Sequence, residues 1–286
     1  MADDPEDAIE DVDEESLPPA EKKKRIGRYK LIIEEIFTQF YKAGVEEFEF
    51  ERDEIATAAA RVGVRAPKNL GDVIYTYRYR RMLPDAILKA QPKDRYWLIL
   101  GAGDARYRFR LSRLLHIEPT KGLLVRKIPD ATPQIIARYA LSDEQALLAK
   151  VRYNRLIDTF LGVTAYSLQN HLRTKIQNYG QIEIDELYVA VDGQGAQYIV
   201  PVQAKGGSDK LGVIQTIQDT IFCQTQTRYR DCIPRTVSAQ FMEDDIIAMF
   251  ELTFDGDEVS IVREKHYRLV PSTEISALDL NNYRLP

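Results

Sequence analysis

The chain has 286 residues, of which 44% are hydrophobic and 29% charged, and its formal net charge is −5. This length and composition suffice for one large or two modest globular domains, and no apolar run approaches the ~20 residues of a membrane span. The acidic, hydrophilic start lacks the form of a secretory signal, and the two cysteines indicate neither a disulfide framework nor a zinc site. We therefore expect a cytoplasmic protein without membrane association.

The negative net charge originates in the first 21 residues. They contain ten of the 44 acidic residues and no Lys or Arg, so the other 34 acids face all 39 bases, and residues 22–286 carry a net charge of +5. We predict that residues 1–27 form a disordered acidic tail on a mildly basic body. The tail is either a solubilising leader or a competitor of a polyanionic ligand for a basic groove.

Residues 28–115 have the pattern of three helices followed by a β-hairpin. The third predicted helix, 69–81, and the second hairpin strand, 106–111, are both rich in Arg and Tyr. This order of elements resembles a winged helix-turn-helix domain, which implies DNA binding. The residues suited to DNA contacts are Arg78, Arg80, Arg81, Arg106 and Arg108. The alternative is a solvated basic face with its aromatic residues turned into the core.

Residues 116–140 contain three prolines and no sustained periodicity, so we predict a linker there. The segment 141–286 is expected to form the second domain. A capping-box sequence that begins at Ser142 predicts a helix to about Phe160, and a second helix is predicted over 167–177. A further helix is predicted from Leu211, followed by strands at 235–239, 246–254 and 258–267.

Two β-forming segments flank a Gly-containing turn at 192–195, a pattern typical of a β-hairpin. With a turn centred in this stretch, Asp185 lies opposite Gln203, and Glu183 lies opposite Lys205, at ~5 Å. All four positions are odd, so they share one face of the sheet. Such a polar cluster is costly unless it holds a metal or pairs internally. The alternative is a plain Glu183–Lys205 salt bridge with a solvated Asp185.

A helix, a hairpin bearing Asp…Gln-x-Lys, another helix and a further strand resemble the PD-(D/E)xK nuclease family over about residues 142–240. The resemblance implies a mixed sheet flanked by helices, as in restriction endonucleases, and hence an α/β (α+β) protein. Asp185 matches the metal-binding aspartate, Gln203 stands where the family usually has Asp or Glu, and Lys205 matches the lysine. Ala204 would offer its backbone carbonyl to the metal.

Two positions depart from the family pattern. Gln203 is neutral, and Glu183 on the same face is the candidate for the missing carboxylate. Many members also have an acid on an upstream helix, for which Gln169 or His171 would substitute here. Lys210, just beyond the hairpin, is expected to contact DNA phosphate.

The resemblance implies a Mg²⁺-dependent DNA endonuclease of the restriction or defence type, in which Mn²⁺ would substitute. Its metal ligands would be Asp185, Ala204 and Glu183, because Mg²⁺ prefers oxygen ligands and retains several waters. Cutting double-stranded DNA needs two sites, so a homodimer is expected. The alternative is a non-catalytic DNA-binding regulator with a degenerate nuclease fold.

Overall fold

The computed structural model describes residues 18–139, 144–176, 179–206 and 209–284. The chain forms two compact units, and the boundary between them falls between Leu115 and His116. The first unit also holds Tyr179 and Gly180. Residues 1–17 of the predicted acidic tail and Ser142 of the predicted capping box lie outside the described residues.

The first unit runs in the order helix, strand, three short helices and β-hairpin. Its elements are α1 Pro19–Phe40, β1 Glu47–Glu51, α2 Glu54–Arg61, α3 Gly71–Tyr75, α4 Asp85–Lys89, β2 Tyr96–Gly103 and β3 Arg106–Ser112. A π-helical turn, Thr76–Arg80, continues α3. The three strands form an antiparallel sheet in the order β1-β3-β2.

The predicted disordered tail was too long at its C-terminal end, because α1 begins at Pro19. Proline at the first helical position has no amide hydrogen to leave unpaired, and its fixed φ suits a helix start. The residues that follow are mainly Lys, Arg and Glu, which are good helix formers. Residues 19–27 are therefore helical.

Strands β1 and β3 match residue for residue, with aromatic pairs on one face and charged pairs on the other. Phe48 lies opposite Phe109, while Glu49 lies opposite Arg108. The aromatic face meets Phe37 of α1, whose ring centroid is 5.3 Å from that of Phe109 and 5.5 Å from that of Trp97. The alternation that exposes the charges thus also builds the core.

The second unit is built on one large mixed sheet flanked by helices. Its elements are β4 His116–Ile117, β5 Val125–Pro129, α5 Gln134–Tyr139, α6 Glu144–Tyr153, α7 Leu156–Leu161, β6 Thr164–Ile176, β7 Gly180–Val191, β8 Gln197–Lys205, β9 Leu211–Gly212, α8 Val213–Thr225, β10 Ile233–Pro234, β11 Thr236–Phe241, β12 Ile246–Phe254, β13 Val259–Val270 and α9 Ala277–Asn282. The sheet order is β5-β13-β12-β11-β8-β7-β6, and β10 also pairs with β8. Neighbours β8–β11 and β13–β5 are parallel, whereas β7–β8, β11–β12 and β12–β13 are antiparallel.

The predicted linker 116–140 is wrong. Its first two residues form β4, which pairs with β9, and Val125–Pro129 forms β5 at one edge of the large sheet. Proline is tolerated at the end of an edge strand because it has no amide hydrogen to donate, so Pro129 does not exclude a strand. The segment belongs to the second unit.

The predicted helix over 167–177 is also wrong, because residues 167–176 belong to β6 at the other edge of the sheet and residue 177 lies outside the described residues. Apolar residues at 168, 172 and 176 are four apart, a spacing that suits both a helical period of 3.6 and a strand period of 2. From Leu172 to Ile176 the exposure alternates as in a strand. His171 interrupts the strand with a φ of +47°.

The predicted helix to Phe160 is two helices, since Arg155 between α6 and α7 has a φ of +49°. Both pack on one face of the sheet, to which β8 contributes the even-numbered Val200, Val202 and Ala204. The odd-numbered Gln203 instead contacts Asp219 of α8. Among the helices of the described residues, none is long and apolar enough to cross a membrane.

Replacing Phe109 with Ala is expected to lower the free energy of unfolding of the first unit by about 3–5 kcal/mol, because the fully buried ring leaves a cavity. Urea unfolding followed by fluorescence of Trp97, the one tryptophan of the sequence, measures this. Leu31→Ala is the control, since that side chain is 44% exposed and should change the value by less than about 0.5 kcal/mol. Equal losses in both variants would contradict the assignment of the core.

Candidate functional site at the open end of the β7–β8 hairpin

The hairpin has the register predicted from its turn. Tyr188 pairs with Val200 and Glu186 with Val202, and the paired register ends at this last pair. Asp192 fixes the turn by accepting hydrogen bonds from the backbone N–H groups of residues 194 and 196, at 2.9 and 3.0 Å. Asp185 and Gln203 are thus the first residues beyond the ladder, and we call this open end of the hairpin the fork.

Asp185 bridges the fork. Its Oδ2 accepts a hydrogen bond of 2.8 Å from the backbone N–H of Ala204. Burial raises the pKa of Asp185 to about 6, because the charged form loses water, and the nearby carboxylates of Glu144 and Glu183 act in the same direction. The Ala204 N–H and the Lys205 ammonium oppose this increase.

Lys205 pairs with an acid that the sequence did not indicate. Its Nζ lies 2.5 Å from Oε1 of Glu144, the first residue of α6. Glu183 is instead 3.1 Å from Arg173 of β6, and both of these side chains are largely exposed. The predicted Glu183–Lys205 pair is therefore wrong, and Asp185 and Glu144 are the two carboxylates near the ammonium.

Gln203 is almost fully buried and all its polar atoms are used. Its Nε2 donates to the carboxylate of Asp219 at 3.0 and 3.1 Å and to the backbone carbonyl of Glu183 at 3.1 Å. Its Oε1 accepts a 3.1 Å hydrogen bond from Nε2 of Gln215. Complete burial raises the pKa of Asp219 well above the usual range, and the charge of Asp185 adds to the increase.

The two accessory residues lie on a strand and not on a helix. Gln169 is exposed on β6, and Nε2 of His171 is 3.0 Å from Nε2 of Gln145 in α6. The helical acid near the lysine is Glu144, at the start of α6.

The predicted DNA-binding residues have different environments. Arg108 forms ion pairs with Glu49 at 2.5 Å and Glu47 at 3.4 Å, and Arg106 lies 3.7 Å from Glu49. Arg78 donates to the carbonyl of Ile99 at 2.7 Å, which ties it to the fold of the first unit.

The remaining basic candidates are exposed. Arg80 lies over the ring of Tyr75, 5.1 Å from the ring centroid, at the end of the π-helical turn, and Arg81 follows it. Lys210 is ion-paired with Glu118 at 2.7 Å.

The donor chemistry at the fork fits a hard cation only in part. Asp185 and Glu144 offer carboxylate oxygens, which Mg²⁺ prefers, and a cation there would offset the buried charge of Asp185. The N–H of Ala204 is bonded to Asp185, and this hydrogen bond does not involve the Ala204 carbonyl oxygen, which is the predicted ligand. Glu183 is engaged with Arg173. Within residues 18–139, 144–176, 179–206 and 209–284, no group of three or more His, Cys, Asp or Glu side chains is arranged to hold a metal ion.

Two residues of the site were missed from the sequence: Glu144 and Asp219. Gln215 and Asp219 are four residues apart on α8 and so lie on one helix face, a signal that could have placed both toward the sheet. For Glu144 the sequence indicates only an acidic residue in the first turn of a helix, and nothing in it points to Lys205. Comparison of the chain with protein-family models, curated proteins and solved structures gives no match.

Asp185→Asn is expected to stabilise the protein at pH 8 by about 1–3 kcal/mol in the presence of a chelator. The pKa of Asp185 is raised in the folded state, so the folded state binds more protons than the unfolded state between about pH 4 and pH 6. Protonated Asp185 therefore stabilises the wild-type protein below about pH 4, and this contribution is lost as the pH rises through 6. Denaturant unfolding followed by circular dichroism at pH 5 and pH 8 measures the difference.

Asp231→Asn is the control for this experiment, because the Asp231 side chain is 89% exposed. It should follow the wild-type pH profile. If Asp185→Asn also follows that profile, Asp185 does not carry a raised pKa.

Proposed function

We propose that the chain is a Mg²⁺-dependent DNA endonuclease of the restriction or defence type, with its active site at the fork. The observation that carries the proposal is the convergence of two carboxylates on one lysine. Asp185 comes from a strand, Glu144 from a helix start 41 positions earlier in the chain, and Lys205 from the neighbouring strand. Asp185 is too buried for a solvated surface carboxylate.

The chemistry of phosphodiester hydrolysis suits these residues. Asp185 and Glu144 would hold the metal, which, when bound, would lower the pKa of a water and neutralise phosphate charge. Above pH 6 Asp185 is mainly ionised, as a ligand has to be. Lys205 would stabilise negative charge that develops on the phosphate. Mn²⁺ is expected to substitute for Mg²⁺.

We assign DNA binding to the first unit and cleavage to the second. A mixed sheet flanked by helices supports a restriction-endonuclease-like second unit. The order helix, strand, helices and hairpin, with strands ordered β1-β3-β2, supports a winged-helix-like first unit that binds double-stranded DNA. Tyr75, Arg80 and Arg81 are its best candidates for contact, because they are exposed at the end of the third helix. Cleavage of both DNA strands would require a homodimer.

A second candidate function is that of a DNA-binding regulator whose nuclease-like unit does not cut. Two observations favour it. The amide of Gln203 is saturated by hydrogen bonds within the protein, and the described part of the chain holds no three-membered ligand group.

Lys205→Ala, Asp185→Ala and Glu144→Ala are each expected to lower the rate of plasmid cleavage at least ~10²-fold, because each removes a charge from the reacting centre. Digestion of supercoiled plasmid with Mg²⁺, and with Mn²⁺, measures this by gel electrophoresis. Lys127→Ala is the matched lysine control, since Lys127 lies on β5, four strands from β8 in the sheet, where its ammonium pairs with Asp279 at 3.1 Å, and it should retain most of the activity.

DNA binding without cleavage under either metal would contradict the enzyme and support the regulator. Cleavage that survives in Lys205→Ala would show that the fork is not the active site.

Arg80→Gln and Arg81→Gln are each expected to weaken DNA binding and to reduce the slope of log K against log salt by about 1, because each loses one phosphate contact. Arg108→Gln should change the slope much less, since Glu47 and Glu49 already neutralise that guanidinium. Fluorescence anisotropy with labelled duplex DNA between 50 and 300 mM salt measures the slopes.

Arg78 is unsuited to this experiment because its side chain bonds to the Ile99 carbonyl, and its loss would disturb the fold. If Arg108→Gln alters the slope more than Arg80→Gln and Arg81→Gln, the hairpin and not the third helix is the DNA contact.

A further inference from the structure

At the fork the main-chain ladder is replaced by side-chain hydrogen bonds. Beyond the Glu186–Val202 pair, Asp185 of β7 reaches across to the N–H of Ala204. Gln203 of β8 reaches back to the carbonyl of Glu183. The spacing of the two strands where the candidate catalytic groups sit therefore depends on these two side chains.

The amide of Gln203 has only one orientation that satisfies its neighbours. Its two amide hydrogens face acceptors, namely the Glu183 carbonyl and the Asp219 carboxyl group. Its oxygen faces the donor Nε2 of Gln215. A flipped amide would place its oxygen against the oxygens of Glu183 and Asp219, and both side chains are too buried for water to compensate: Gln203 is 1% exposed and Asp219 0%.

This geometry also explains why residue 203 is an amide. A carboxylate at 203 would face the buried carboxyl group of Asp219 and would have no hydrogen to donate to the carbonyl oxygen of Glu183. Gln is the residue of this size that can donate in both directions and still accept from Gln215.

We propose that Asp219 is the positioning residue of the fork: by accepting from Gln203, it fixes the amide that joins β8 to β7 and so holds Asp185, Ala204 and Lys205 in register. Asp219 acts through Gln203 and not on a substrate. The inference about the fork stands on the contacts alone, and its consequence for cleavage rests on the proposed function.

Two substitutions of Asp219 separate hydrogen-bond polarity from packing. Asp219→Leu keeps the branched shape and the number of heavy atoms but removes every acceptor, whereas Asp219→Asn retains one acceptor for Gln203. Thr220→Val is the control on the same helix, because Thr220 is also buried and bonds to Thr216 and Thr236 but not to the fork.

The first measurement is the amide hydrogen exchange of Ala204 by NMR in the full chain, which does not depend on cleavage. Asp219→Leu is expected to speed exchange of Ala204 by at least about tenfold, while Asp219→Asn and Thr220→Val stay near wild type. The second measurement is metal-dependent plasmid cleavage, which should be lost in Asp219→Leu and retained in the other two variants.

The two measurements separate the positioning role of Asp219 from the proposed cleavage activity. If no variant cleaves DNA, wild type included, but Ala204 exchange changes as expected, the proposed function fails and Asp219 still positions the fork. If Asp219→Leu leaves Ala204 protected, or Thr220→Val exposes it equally, the positioning role is overturned.

Should Asp219→Leu not fold, Gln203→Glu and the double variant Gln203→Glu/Asp219→Asn give the same information. The single variant opposes acceptors and should speed Ala204 exchange. The double variant restores a donor at 219 and should recover part of the protection. No recovery in the double variant would overturn the proposal.

Discussion

The hydrogen bond from the Ala204 N–H to the Asp185 carboxylate lies where two strands of one sheet stop pairing with each other. It draws a buried acid toward the main chain of β8, next to Lys205, and the charge remains costly there, as the raised pKa of about 6 indicates. The surrounding groups compensate for this energetic cost. Lys205 offsets the charge, Glu144 is held by the lysine, and Gln203 keeps the strands joined on the buried side. Because each of these side chains is positioned by the others, few alternative arrangements of the site are compatible with its hydrogen bonds and charges.

The parts of this arrangement that follow from short-range chemistry could be predicted. The Asp-Gly-Gln-Gly turn determines the register of β7 and β8, and with it the neighbourhood of Asp185, Gln203 and Lys205. The partner of Lys205 could not be predicted, because Glu144 lies 61 residues away and only the packing of α6 brings it near. Asp219 could not be predicted for a different reason: it lies in a helix whose residues are almost all buried, a position where a carboxylate is unexpected. Strand β6 was mistaken for a helix since a spacing of four residues satisfies both periods.

The first unit shows how a count of arginines overstates the charge that is available to a ligand. Three glutamates of β1 lie opposite three arginines of β3, so the basic stripe that the sequence displays is largely neutralised within the sheet. At the end of the third helix, Arg80 lies over the exposed ring of Tyr75, which in turn contacts the ring of Tyr79. Which glutamate pairs with which arginine depends on the strand register, and the sequence of β3 alone does not determine that register. The β1 sequence Glu-Phe-Glu-Phe-Glu carries the complementary information, 55 or more positions earlier.

Strand β6 ends the large sheet with 13 residues, a long template for unwanted pairing with another chain. Arg173 and Lys175 point outward along it, and the left-handed conformation of His171 breaks its straight run near the middle. An incoming strand would meet the long polar side chains of Arg173 and Lys175 along one half and a change of backbone direction at His171. The left-handed residue thus interrupts the continuous edge that such pairing would need, a consequence that requires no part of His171 in catalysis.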